Sequence, residues 1–142
     1  MSGLHAKKTL VPVDFSDLSL AAVDRAIDIA GDEGTVEVVY VLSELLAMEP
    51  GNLFGTITND PRIESALEKF RETFSDTKYA KIKFHVMTGN PGREIASFAQ
   101  REQFDLIMIP SHGYGFAKHI LLGSVAERVV RLAHCPVLVL RS

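Results

Sequence analysis

Short apolar runs and helical apolar stripes alternate along the chain. Residues 9–13 form an apolar run that ends at Asp14-Phe15-Ser16-Asp17, a turn and helix-start signal. Leu20, Val23, Ile27 and Ala30 follow at spacings of three and four, which predicts a helix with one apolar face, closed by Gly31 and Gly34. Residues 36–42 are nearly continuous and β-branched, the pattern of a parallel strand covered on both faces. Regularity lapses over 43–59, where Pro50, Gly51 and Gly55 predict a long loop with room for a short helical piece. Asp60-Pro61 predicts a helix start, with Asp as cap and Pro at the first helical position; Ile63, Leu67, Phe70 and Phe74 supply its buried stripe. Ile82, Phe84 and Val86 alternate with Lys81, Lys83 and His85, predicting a strand with one wetter face at a sheet edge. Asn90-Pro91 starts another helix, carried by Ile95, Phe98 and Ala99. A buried strand at 106–109, a glycine-containing connection at 111–122, a helix at 123–133 and a last apolar strand at 136–140 complete the chain. The order β-α-β-α-β-α-β-α-β predicts an α/β fold, a parallel sheet with helices on both faces, because each parallel connection needs a crossover. Ligands of such sheets bind outside the carboxyl ends of the strands, where strand order reverses.

Composition narrows the picture. A chain of 142 residues suits one domain, expected over 1–142, and is too short to expect two. An apolar fraction of 46%, with 23% charged residues of both signs interspersed, fits a globular protein rather than a disordered one. A net charge of −3 argues against a nucleic-acid partner, which would favour a basic stripe. No apolar run approaches the roughly 20 residues that span a bilayer, so no membrane is expected. Residues 1–8 lead into a strand rather than into the apolar core of a secretion signal. With a single cysteine, Cys135, and hence no internal disulfide, the expected location is the cytoplasm.

The strongest chemical signal follows the fourth strand. Ser111-His112-Gly113-Tyr114-Gly115 and Leu122-Gly123-Ser124 combine a glycine turn at a strand's carboxyl end with a second glycine at a helix start. Glycine lets backbone approach a ligand closely, and a helix N-terminus offers N–H groups and partial positive charge to a phosphate. The same residues admit a plainer reading, in which Ser124 and Glu127 form a capping box and Ser124 caps its own helix. His112 and His119 have no cysteine or carboxylate at metal-ligand spacing, so no metal site is expected. Cys135 precedes a proline and a buried strand and reads as a packed, inert thiol. Neither a Ser-His-Asp arrangement nor a lysine-bearing P-loop is present, which leaves little to drive fast phosphoryl transfer.

Residues 111–140 resemble the carboxy-terminal signature of the universal stress protein family. Residues 9–30 are similar to that family's first strand and helix, residues 38–44 to its second strand, and residues 89–99 to its G-x-P-x-x-x-I segment. The resemblance covers nearly the whole chain apart from about 43–60. It implies a three-layer, doubly wound sandwich around a five-stranded parallel sheet of order 3-2-1-4-5, a homodimer, and, in one branch of the family, an ATP site. That branch carries Gly-x2-Gly-x9-Gly-[Ser/Thr]. Here Gly113, Gly123 and Ser124 fill the later positions, and Pro110 stands where the first glycine would be. Proline lacks an N–H, and its ring adds bulk where the family's ligand passes.

Carried over to this chain, the resemblance implies a nucleotide held by Pro12, Val13 and Asp14 after the first strand and by Val41 of the second. Ile109, Pro110, Ser111, His112 and Gly113 would hold it after the fourth strand, and Gly123, Ser124 and Val125 at the last helix. Asp14 would accept from the adenine amino group or a ribose hydroxyl, unless it is simply a turn carboxylate. Val41 would offer backbone N–H and C=O to the adenine edge, unless it is an ordinary core valine. Ile109 would pack against the base. The implied cofactor is ATP, with or without Mg2+. The implied partners are a second copy, joined through Val137, Leu138, Val139 and Leu140 of the last strand, and a protein target. The expected function is that of a stress-response sensor or regulator, at most a slow hydrolase. The alternative is a dimeric interaction module of the same fold that binds no nucleotide, a reading favoured by Pro110 and by Tyr114, where many relatives carry a basic residue.

Overall fold

The computed structural model describes residues 6–43, 60–112 and 122–141. Its elements follow the apolar pattern: β1 (Lys8–Pro12), α1 (Asp17–Ala30), β2 (Thr35–Leu42), α2 (Pro61–Thr73), β3 (Lys83–Thr88), α3 (Pro91–Arg101), β4 (Leu106–Pro110), α4 (Ser124–Leu132) and β5 (Val137–Leu140). The five strands form one parallel sheet in the order β3-β2-β1-β4-β5. The alternating strand with the wetter face, β3, lies at an edge as its pattern predicts.

Helix starts are set by local chemistry. Asp60 accepts a hydrogen bond from the Arg62 N–H and Asn90 from the Arg93 N–H, each followed by a proline at the start of its helix. Ser16 caps α1 by accepting from the Ser19 N–H. Each such cap contributes about 1 kcal/mol.

Alternate strand residues separate onto two faces. Under α1 and the end of α2, Val11, Val13, Val38 and Met108 meet Ala22, Val23, Ala26 and Phe74. Under α3 and α4, Leu10, Val39, Ile107 and Ile109 meet Ile95, Phe98, Ala126 and Val129. This gives the three layers, with burial contributing about 1.5–3 kcal/mol for each large apolar side chain. One buried carboxylate interrupts the apolar filling. Glu37 of β2 is 7% exposed, lies 2.6 Å from His85 Nε2 and 3.9 Å from Lys8 Nζ, and so keeps the polar partners that burial demands.

The apolar pattern did not signal the 3-10 turn at Thr77–Tyr79. Its anchor is tertiary: the Tyr79 hydroxyl donates to Asp24 of α1 at 2.6 Å. Burial, and then the bond to Asp24, raise the Tyr79 phenol above its ordinary pKa.

Candidate functional site

Strand order reverses between β1 and β4. Ladder pairing between these two strands is confined to Thr9–Leu106 and Leu10–Ile107, so no pairing joins their carboxyl halves. The crevice expected at such a switch point therefore lies between residues 12–14 on one side and 109–112 on the other.

The β1 side is anchored by the Val13 N–H, which donates to the Val39 carbonyl at 2.9 Å. Asp14 follows, half-buried; its Oδ1 accepts from the Ser16 N–H at 2.9 Å, and its own N–H faces Ser19 Oγ at 3.4 Å. Asp14 thus has the turn role weighed for it. Val39 turns its carbonyl toward β1, whereas the Leu42 carbonyl accepts from Gly89 just past β3. By this alternation the N–H and C=O of Val41 point to the β1 side, beyond the last described bond from that strand. Val41 also packs on the core beneath α3 and α4.

On the other side, β4 runs one residue further than its apolar pattern predicts and ends with Pro110, buried and in register with Leu140. Ile107 donates to the Pro136 carbonyl and Ser111 to the Leu140 carbonyl, at 3.0 and 2.8 Å. Alternation then turns the Pro110 nitrogen away from β5, toward β1, where the ladder has already stopped. The missing N–H costs the sheet no pairing, which is why a proline is tolerated here. Ile109, 2% exposed, is a full member of the core with Phe98 and Val129.

Ser111 is 3% exposed, and its carbonyl accepts from the Gly123 N–H at 2.6 Å. That bond draws the start of α4 onto the end of β4 and brings Pro110, Ser111, His112, Gly123, Ser124 and Val125 to one place. Gly113, Tyr114 and the loop within 44–59 lie outside the described residues.

The capping-box reading of Ser124 does not hold. The cap residue of α4 is Gly123, which supplies no side-chain acceptor, and Ser124 is already the first helical residue. The bond from Gly123 to Ser111 is a tertiary contact that sets the helix start one residue earlier than the local motif suggests. Among the described residues no side chain caps the first turn of α4, whose N–H groups and positive dipole end lie beside exposed Ser124 and Val125. Gly123 has φ −70° and ψ 163°, angles open to any residue, so its glycine is not required by backbone conformation. Space is the tighter constraint: a Cβ there would lie 3.1 Å from the Ser111 oxygen and 3.3 Å from His112 Cα.

Sequence reasoning missed Phe15, whose φ of 66° makes it one of two described non-glycine residues in the left-handed region. Such a conformation costs roughly 1–2 kcal/mol for a residue with a Cβ. No residue-type signal marks it. Elsewhere, burial first and the Asp105 charge second raise the Cys135 thiol above its ordinary pKa. Among the described residues no group of three or more His, Cys, Asp or Glu side chains is placed to hold a metal ion. Among them, too, no helix is long and apolar enough to cross a membrane.

Comparison with known proteins agrees with this architecture. The profile of the universal stress protein family matches residues 5–141. Universal stress protein MJ0531 of Methanocaldococcus jannaschii is 36% identical over 140 residues, covering 95% of this chain and 82% of the relative. The solved structure of MJ0577, from the same organism, superimposes with a TM-score of 0.82 at 29% identity, covering 96% of both chains. That of universal stress protein UspA from Lactobacillus plantarum gives 0.75 at 26% identity, over 98% of this chain and all of that one.

Proposed function

The chain belongs to the universal stress protein family, and from that premise we propose that it binds ATP or a related adenine nucleotide in the crevice between β1 and β4, as a sensor or regulator in the stress response. The observation that carries this reading is the α4 N-terminus, whose cap residue Gly123 supplies no side-chain acceptor and is drawn by its bond to the Ser111 carbonyl onto the carboxyl end of β4. Phosphate oxygens would meet the N–H groups of Ser124 and Val125 and the dipole's positive end, with the hydrogen at Gly123 leaving them room. The base would lie toward β2, its edge read by the N–H and C=O of Val41, and Asp14 would accept from a ribose hydroxyl or the adenine amino group. Any Mg2+ would arrive on the phosphates. In this reading the nucleotide is a bound signal rather than a turned-over substrate, its hydrolysis slow at most.

At 100 times its dissociation constant a ligand stabilises the native state by about 2.7 kcal/mol. For a chain of this size that raises the melting temperature by roughly 5–10 °C. ATP should produce this shift; no shift at millimolar ATP would leave the interaction-module alternative.

The same reading gives the protein a cytoplasmic location and a second copy as partner. β5 is an edge strand whose Val137, Leu138, Val139 and Leu140 are all only partly buried in the single chain. Such an edge invites self-pairing across a two-fold axis. Light scattering at micromolar concentration should give twice the chain mass, and Val139→Lys should halve it. A wild type that scatters as a monomer rules this pairing out.

A further inference from the structure

The turn that carries Asp14 is held from outside the crevice. Phe15 adopts its left-handed conformation with a bulky ring that is almost fully buried, at 7% exposure. Among the described residues, β2, β3 and α2 all reach that ring. Tyr40 of β2 meets it edge-on with centroids 5.3 Å apart, Phe84 of β3 lies at 6.3 Å, and Lys69 of α2 places its ammonium 5.2 Å from the ring centroid. Phe84 is itself stacked on Phe70 of α2 at 4.1 Å. Reversal of the chain at Phe15 brings the Ser16 N–H back onto Asp14 Oδ1 and starts the cap of α1.

We propose that Phe15 is a positioning residue for the crevice: its ring, clasped by β2, β3 and α2, holds the left-handed turn that fixes Asp14 where a nucleotide is bound. The effect on binding rests on the adenine-nucleotide reading, whereas the hold on the turn belongs to the ligand-free protein. A consequence is that α2 tunes the site through Lys69 and Phe70.

Phe15→Ala and Phe15→Gly remove the same ring, and only alanine keeps the Cβ that penalises positive φ. Amide exchange of Ser16, measured in the full chain without ligand and relative to Ala99 in the opposite core, reports the turn. Calorimetry with ATP reports the site. Phe15→Ala should speed Ser16 exchange about tenfold relative to Ala99 and weaken ATP binding by about the same factor, with Phe15→Gly closer to wild type in both. Should Phe15→Ala fail to fold, Phe84→Leu loosens the ring from outside and should speed Ser16 exchange severalfold. Equal Ser16 exchange in alanine and glycine variants, or none faster than Ala99, overturns the proposal, because simple loss of packing would move both amides together. If wild type takes up no ATP while Ser16 behaves as expected, the nucleotide reading fails and the hold of Phe15 on the turn stands.

Discussion

Gly34→Ala should lower the stability of the ligand-free protein by about 3 kcal/mol, the upper end of what overpacking costs. A Cβ at this position would lie 2.7 Å from the Ala30 oxygen, 2.8 Å from the Ala6 oxygen and 2.9 Å from Ala30 Cα. All three are backbone atoms, so no rotamer change relieves the clash. Gly34 sits where α1 hands over to β2. Its N–H donates to Ala30 at 3.0 Å, and the next residue, Thr35, donates to Lys7 beside β1 at 2.8 Å. Relief therefore requires β2 to shift against β1, at the centre of the sheet. For a chain of this length the melting temperature should fall by roughly 6–12 °C in a thermal scan. Gly31 is a useful contrast, since a Cβ there meets nothing within 4 Å and any loss would come from its φ of 63° alone. A loss below about 1 kcal/mol at Gly34 would mean that the strand ends give way more easily than a packed sheet should.

Gly123→Ala should separate ligand from fold. The backbone angles there suit alanine, and the nearest atoms to a new Cβ, at 3.1 and 3.3 Å, need to yield only a few tenths of an ångström. Alanine is also a poorer helix cap than glycine, so the ligand-free loss should be about 1 kcal/mol. In the nucleotide reading the same methyl occupies volume that a phosphate oxygen needs, and ATP affinity should fall by at least about tenfold, equivalent to 1.4 kcal/mol. Calorimetry on the wild type and the variant measures this directly. Equal affinity in the two proteins would remove the α4 N-terminus from the site.

Much of the fold was legible because its signals are local. Asp60-Pro61 and Asn90-Pro91 mark helix starts by chemistry that operates within a few residues, and both caps are formed as predicted. The β-branched run at 36–42 is a strand because it is covered on both faces, and the alternation around Lys83 and His85 marks an edge. Strand order is a different matter: it was reached through the family resemblance, since periodicity does not say which strands are neighbours.

What stayed hidden depends on contacts distant in sequence. Ser124 looked like a cap, and only the bond from Gly123 to the Ser111 carbonyl moves the helix start. The turn at Thr77–Tyr79 is too short for periodicity and is fixed by Asp24, 55 residues away from Tyr79. Phe15 carries no mark of its positive φ, because the residues that sustain it lie on β2, β3 and α2. Pro110 seemed a departure from the nucleotide-binding pattern; in the folded chain its missing donor points where the ladder has already ended. Candidate contacts made through backbone, such as those of Val41, leave no trace in residue type; the resemblance implies this one, and strand register gives the side to which its N–H and C=O point.

The central claim is that an adenine nucleotide lies in the crevice between β1 and β4 with its phosphates at the start of α4. The most direct measurement is an amide-resolved NMR titration of the full chain with ATP. The account predicts that the amides of Val13, Asp14, Val41, Gly123, Ser124 and Val125 shift together along one saturating curve, while those at the amino ends of the strands move little. No shift at saturating ATP, or shifts clustered away from these residues, would contradict it.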